Sequence, residues 1–255
     1  MFNTKTGLES KSMENYKINI YGDSIMRGTV IDENKRYHST IGGLLDWLNG
    51  CFGLIFKNKA RFGITIDKGE RILKNDLESG LDCDFALVEF GGNDCSFLWQ
   101  EVGADPARDH QPFTRLDAFE ETCLEMVTSI QRAGAEPVLM TLPPLDAEKH
   151  LAFISGEEDK KRRNILQWLG DVQMIYRFHE LYSGTIVKIA DRTGALLVDV
   201  RSRFLDKHNL RDLVGADGVH PTAKGYQLIC DAFADFIAAR RKQAIDKRAP
   251  LLALG

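Results

Sequence analysis

Lys17-Ile18-Asn19-Ile20-Tyr21-Gly22-Asp23-Ser24 is the stretch on which the fold turns. A short, mostly apolar run that stops on Gly-Asp-Ser reads as a buried strand handing small polar residues to a turn. Four further runs rich in Val, Ile, Leu or Phe lie downstream, so strands are expected at 17–21, 54–56, 85–90, 137–142 and 195–200. Longer helix-like segments separate them. That alternation is the signature of a parallel sheet covered by helices, and the expected class is α/β with a five-stranded parallel sheet.

Between the third and fourth strands, Leu116, Phe119, Cys123, Val127 and Ile130 recur at steps of three and four, which predicts a helix over 116–132. Thr114 and Asp117 stand at capping-box spacing before it, and Gly134 supplies a stop. Residues 161–193 read as helical with an interruption near Ser183 and Gly184. A last helix is expected over 222–240. The loops at 95–112 and 143–164 are long.

The chain has 255 residues, enough for one α/β domain, expected over 17–241 between a flexible segment 1–16 and a tail 242–255. Its 33 Lys plus Arg against 37 Asp plus Glu leave a net charge of −4, which argues against a nucleic-acid binder. With 44% hydrophobic and 27% charged residues, the composition is that of a globular protein with a sizeable core. No apolar run reaches the length of a membrane span. Cysteines at 51, 83, 95, 123 and 230 form no C-x-x-C pair, and the leading residues show no secretory signal, so a reducing, cytoplasmic setting is expected. No metal or cofactor is expected.

Ligands of an open parallel sheet bind beyond the carboxyl ends of its strands. Those positions hold Gly22-Asp23-Ser24, Asn58 and Gly63, Gly91-Gly92-Asn93-Asp94, and then Asp217 and His220. A serine needs a neighbouring base to take its proton, and the base needs a group that orients it. His220 fits the first role. Asp217, three residues earlier, is placed to fold back onto its Nδ1, while Pro221 restricts the backbone. The N–H groups of Ser24 and Gly63 and the side-chain amide of Asn93 are candidate donors to the oxygen that becomes negative in acyl transfer. Asp23 and Asp94 are expected to bind backbone N–H groups in their turns. Glu89, a carboxylate within an apolar strand, requires a partner or a raised pKa. The histidines at 38, 110, 150, 179 and 208 lack ligand spacing and are assigned surface or satisfied polar roles. G-x-S-x-G is absent around Ser24, and no lysine follows Gly28 as a phosphate loop requires.

Four segments, GDS at 22–24, N-x-x-x-x-G at 58–63, GGND at 91–94 and D-x-x-H-P at 217–221, resemble in content and order the blocks of the SGNH hydrolase family, also called GDSL esterases. The resemblance spans most of the chain. Ile25 stands where the short name has leucine, and Gly69 competes with Gly63 for the glycine block. The resemblance implies a flavodoxin-like three-layer α/β/α sandwich and ester hydrolysis through an acyl-enzyme. It assigns Ser24 as nucleophile, His220 as base, Asp217 as its partner, and Ser24, Gly63 and Asn93 as the oxyanion hole.

The expected substrate is a small soluble carboxylic ester, with O-acetylated sugars as one class, because no lid-like apolar run is present. The same site would serve a thioesterase, a lysophospholipase or an acyltransferase, and a non-catalytic binding protein on this scaffold is the remaining alternative. Trp99, Trp168 and Tyr176 are candidates for the wall of the substrate pocket.

Overall fold

A computed structural model describes residues 16–252. Of the segment expected to be flexible, 1–15 lie outside the described residues. The first strand, β1 (Lys17–Gly22), alternates its side chains between two helix layers: Ile20 packs on one side of the sheet and Tyr21 on the other. A hairpin of β2 (Thr29–Ile31) and β3 (Tyr37–Ser39) follows, in addition to the expected strands. Helix α1 (Ile41–Phe52) then leads to β4 (Ile55–Asn58), and α2 (Ile66–Glu78) to β5 (Phe85–Glu89). Next come α3 (Trp99–Ala104), α4 (Leu116–Arg132) and β6 (Glu136–Met140). After α5 (Ala147–Ser155), α6 (Asp159–Leu169) and α7 (Met174–Thr193), β7 (Leu196–Val198) completes the sheet. The chain ends in α8 (Arg201–Leu205), α9 (Leu210–Leu213) and α10 (Ala223–Leu252).

The five expected strands form one sheet in the order β4-β1-β5-β6-β7, every pair parallel. One face carries Tyr21, Ala86, Val88 and Leu139 against α2, α4 and α7; the other carries Ile20, Leu87, Val138 and Met140 against α8, α9 and α10. This is the three-layer α/β sandwich. The chain leaves β1 for β4 on one side and leaves β5 for β6 on the other, so a crevice opens beyond the carboxyl ends of β1 and β5. Ser24 and Asn93 follow those two strands.

Several local expectations need correction. Helix α4 has the predicted bounds, but Arg115 occupies its N-cap position with no side-chain cap, and Asp117 pairs with Arg115. Thr114 instead lies beside the buried Asp94, to which its N–H donates. At the other end, Gly134 N–H donates to Gln131 and Ala135 N–H to Ile130, a glycine-terminated cap as expected. The interruption in the later helical region falls at Gly170, whose φ of 71° ends α6, and α7 passes unbroken through Ser183 and Gly184. Ser183 is polar there because its Oγ accepts from the Leu142 N–H beside the sheet. The two long loops also contain helices α3 and α5 and the start of α6, which bury a separate cluster of Phe97, Val102, Leu151 and Ile165. The last helix continues past 240 to Leu252, through residues that are mostly good helix formers.

Candidate active site

Beyond Gly22 the chain folds into a tight turn in which Asp23 Oδ1 accepts the Ile25 N–H at 2.8 Å. The turn lifts Ser24 to the crevice. Its Oγ lies 2.9 Å from His220 Nε2, and His220 Nδ1 lies 2.6 Å from Asp217 Oδ2. Residues 196 positions apart in sequence thus join one hydrogen-bond chain. Asp217 Oδ1 also accepts the N–H groups of Val219 and His220 at 3.0 and 3.1 Å, which closes the short loop that bears both residues. Burial pushes the Asp217 carboxyl up, but the hydrogen bond and charge of His220 and these backbone donors outweigh it and hold the group below the ordinary carboxylate range. It is therefore ionised at neutral pH.

The loop is fixed from outside by α5. Gly218 has φ 76°, and a Cβ there would lie 2.4 Å from the His150 nitrogen, so a side chain is excluded both by conformation and by space. Its carbonyl accepts the Asp146 N–H at 2.8 Å, and the Asp217 carbonyl accepts from His150 Nδ1 at 3.0 Å. Two aromatic rings cover His220 on the solvent side. Phe62 stacks on it at 5.9 Å with 7° between planes, and Tyr37, from the hairpin, sits at 5.1 Å. Burial and the Asp217 carboxylate push the Tyr37 hydroxyl up to about 12. Neither ring carries a motif in the sequence.

Asn93 Nδ2 donates to Asp23 Oδ2 at 2.9 Å and to the Ile64 carbonyl at 3.1 Å, which aims the amide at the crevice. The N–H groups of Ser24 and Gly63 donate to no protein group among the described residues. Gly63 is exposed and lines a groove that meets the Ser24 cleft at Asn93. Its competitor Gly69 serves packing instead, since it lies in α2 against Phe90, where a Cβ would come within 2.1 Å of the ring. Asp94 turns away and accepts the Ile66 N–H at 2.9 Å, bracing the start of α2. The cleft over Ser24 measures about 210 Å³ and is walled by Trp99, Leu145, Phe153 and Phe178, among others. Trp99 is thus where the sequence suggested. Trp168 and Tyr176 are not: Trp168 packs on Phe97, and Tyr176 lies under the Arg201 guanidinium at 5.0 Å. His150 and His179, which have no ligand spacing to single them out in the sequence, line the cleft.

Glu89 is fully buried at the end of β5, with Oε2 3.5 Å from the Asp23 N–H. Burial and then the Asp23 carboxylate raise it well above the usual range, so it holds its proton to higher pH than the unfolded chain does. Asp23 itself is pushed up to about 6, chiefly by burial, against the Ile25 N–H and the His220 charge. As pH rises above the unfolded value of a carboxyl, the unfolded chain loses the Glu89 proton while the folded chain retains it, so this group makes stability fall with pH. Glu89→Gln removes that slope. The melting temperature of Glu89→Gln relative to wild type is expected to be higher at pH 8 than at pH 5; a pH-independent difference would show that Glu89 carries no retained proton.

Among the described residues, no three His, Cys, Asp or Glu side chains gather as a metal site would, and no helix is long and apolar enough to cross a membrane. No curated protein matches the chain in sequence. Solved structures resemble it in fold. A lipase/acylhydrolase from Enterococcus faecalis superposes with a TM-score of 0.61 at 19% identity, over 88% of this chain and 96% of its own. LAE5, an alpha/beta hydrolase enzyme from the metagenome of Lake Arreo, Spain, gives 0.60 at 21% identity, over 89% and 97%. A catalytic mutant of Axe2, an acetylxylan esterase from Geobacillus stearothermophilus, gives 0.60 at 19% identity, over 89% and 96%. The family model of the GDSL-like lipases and acylhydrolases matches residues 20–228, from inside β1 to the first turns of α10. With that match covering most of the sandwich, the chain belongs to the GDSL-like lipase/acylhydrolase family and is a carboxylic ester hydrolase.

Proposed function

We propose that the protein hydrolyses a small soluble carboxylic ester, O-acetylated sugars being one such class, through an acyl-enzyme on Ser24. The observation that carries this reading is the unbroken chain from Ser24 Oγ to His220 Nε2 at 2.9 Å and from His220 Nδ1 to Asp217 at 2.6 Å. Because Asp217 is ionised, it keeps the imidazole proton on Nδ1 and leaves the Nε2 lone pair facing the hydroxyl. His220 takes the Ser24 proton as Oγ attacks the ester carbonyl, then delivers it to the departing alcohol. Water repeats the sequence on the acyl-enzyme. The carbonyl oxygen gains charge at each attack and is met by the free N–H groups of Ser24 and Gly63 and by the Asn93 amide, which exchanges a protein acceptor for the oxyanion. A cleft of about 210 Å³ is smaller than the sites that hold drug-sized ligands, which favours a short acyl group.

Acid quenching during turnover of p-nitrophenyl acetate, followed by peptide mass spectrometry, tests the acyl-enzyme: an acetyl group on Ser24 is expected, and acetyl confined to other residues would refute it. Across p-nitrophenyl esters, acetyl is expected to outrun octanoyl in kcat/KM. Asn93→Ala is expected to lower kcat by about 10²–10³ with a smaller change in KM, because it removes a donor needed most in the transition state. Steady-state kinetics on p-nitrophenyl acetate measure it.

A further inference from the structure

Two imidazoles in the Ser24 cleft take no part in the proton chain. His150 Nδ1 lies 3.0 Å from the Asp217 carbonyl, which can only accept, so Nδ1 bears the hydrogen and Nε2 presents a bare lone pair. His179 is wired the opposite way. Its Nδ1 faces Arg201 Nη1 at 3.5 Å, and a guanidinium can only donate, so Nδ1 is the acceptor and Nε2 carries the hydrogen. Both tautomers are enforced by the protein behind the ring. Arg201 is held in turn by the Leu142 carbonyl, Glu180 and the Tyr176 face.

Neither Nε2 has a hydrogen-bond partner among the described residues, and neither is sealed from the cavity that both rings line. Burial lowers the basicity of both, taking His179 to about 3 with the Arg201 charge acting in the same sense, as the His220 charge does on His150, so both rings are neutral under ordinary conditions. The surrounding wall is apolar: Trp99, Leu145, Phe153, Ile175 and Phe178. One fixed donor and one fixed acceptor in such a wall complement a group that is both at a single atom. An alcohol hydroxyl is that group, whereas a carbonyl satisfies only His179 and an ammonium only His150.

We propose that His150 and His179 form a hydroxyl-binding subsite, so that the favoured substrate is an ester that retains a free hydroxyl, a partially acylated polyol or sugar. The proposal rests on the esterase reading above and adds the two residues that select within it. An apolar analogue would leave two cleft nitrogens unpaired, and sites built to bind a hydroxyl discriminate strongly against analogues without one.

Glycerol monoacetate and 2-methylbutyl acetate have equal numbers of heavy atoms and the same branching, and differ in two hydroxyls. Wild-type kcat/KM is expected to favour the monoacetate by about tenfold or more, although the apolar wall alone would favour the other ester. In His179→Phe and in His150→Phe the ratio is expected to fall to about one or invert, while His179→Gln, which restores an N–H, recovers part of it. Fluorophosphonate labelling of Ser24 and the melting temperature show whether each variant is folded. Equal wild-type rates for the two esters, or a ratio unchanged in every folded variant, would overturn the subsite. If fluorophosphonate labels Ser24 and both esters turn over without discrimination, only the subsite fails; if neither labelling nor turnover occurs in wild type, the esterase reading fails and takes the subsite with it.

Discussion

Purified Ser24→Ala is expected to lose fluorophosphonate labelling and to hydrolyse p-nitrophenyl acetate at least about a thousandfold more slowly than wild type, the largest single effect available at this site. The reason is chemical rather than structural. Oγ is the atom that would bond to the acyl carbon, and the methyl left behind has no lone pair to attack with. Ser24 is only 6% exposed, and its side-chain hydrogen bond is the one to His220, so alanine leaves the turn intact. Its free N–H, the Asn93 amide and His220 would all survive. Residual hydrolysis would then come from water attacking a bound, polarised ester, which is why loss short of the uncatalysed rate is expected. Persistent turnover close to wild type in the purified variant would falsify the nucleophile assignment.

Asp217→Asn is expected to lower kcat by about 10³–10⁴ while leaving the fold and KM nearly unchanged. The Oδ1 that accepts from Val219 and His220 is retained in asparagine, so the loop keeps its closure. Asparagine then turns its Nδ2 towards His220 Nδ1, which must become an acceptor. The hydrogen moves to Nε2, and the ring presents a donor to Ser24 where a base is required. An imidazolium formed during attack would also lack its counter-charge. Far-UV circular dichroism and a melting curve establish the fold, and kcat on p-nitrophenyl acetate measures the loss. A decrease of less than tenfold would mean that Asp217 does not set the tautomer of His220.

The same two residues show how unevenly the molecule is legible. Asp217 and His220 sit three apart behind a strand, and the Gly-Asp-Ser turn ends another, so both ends of the hydrogen-bond chain can be read from spacing and residue type. Helix α4 is readable to the residue because its apolar positions repeat on one face and Gly134 stops it. The break before α7 is misplaced by composition, since Ser183-Gly184 looks like a turn while its environment beside Leu142 is that of a buried helix. The rings of Tyr37 and Phe62 over His220 leave no trace in the sequence. A single aromatic residue in a three-residue strand or a turn has no period, and the contact depends on where a two-stranded hairpin happens to dock.

Chain order and local chemistry were enough to establish an α/β chain with five strands and the parallel sense of its sheet, and to propose Ser24, His220 and Asp217 as nucleophile, base and acid, because these readings follow from apolar periodicity, turn residues and reactive groups close in sequence. Folding in three dimensions was needed to set the 2.9 Å approach of Ser24 to His220, the burial that raises the Glu89 carboxyl, and the contrasting Nδ1 partners of His150 and His179. Each of these depends on groups from distant segments meeting away from water. Neither the desolvation of a carboxyl nor the hydrogen-bond partner of an imidazole is a property of its sequence neighbours.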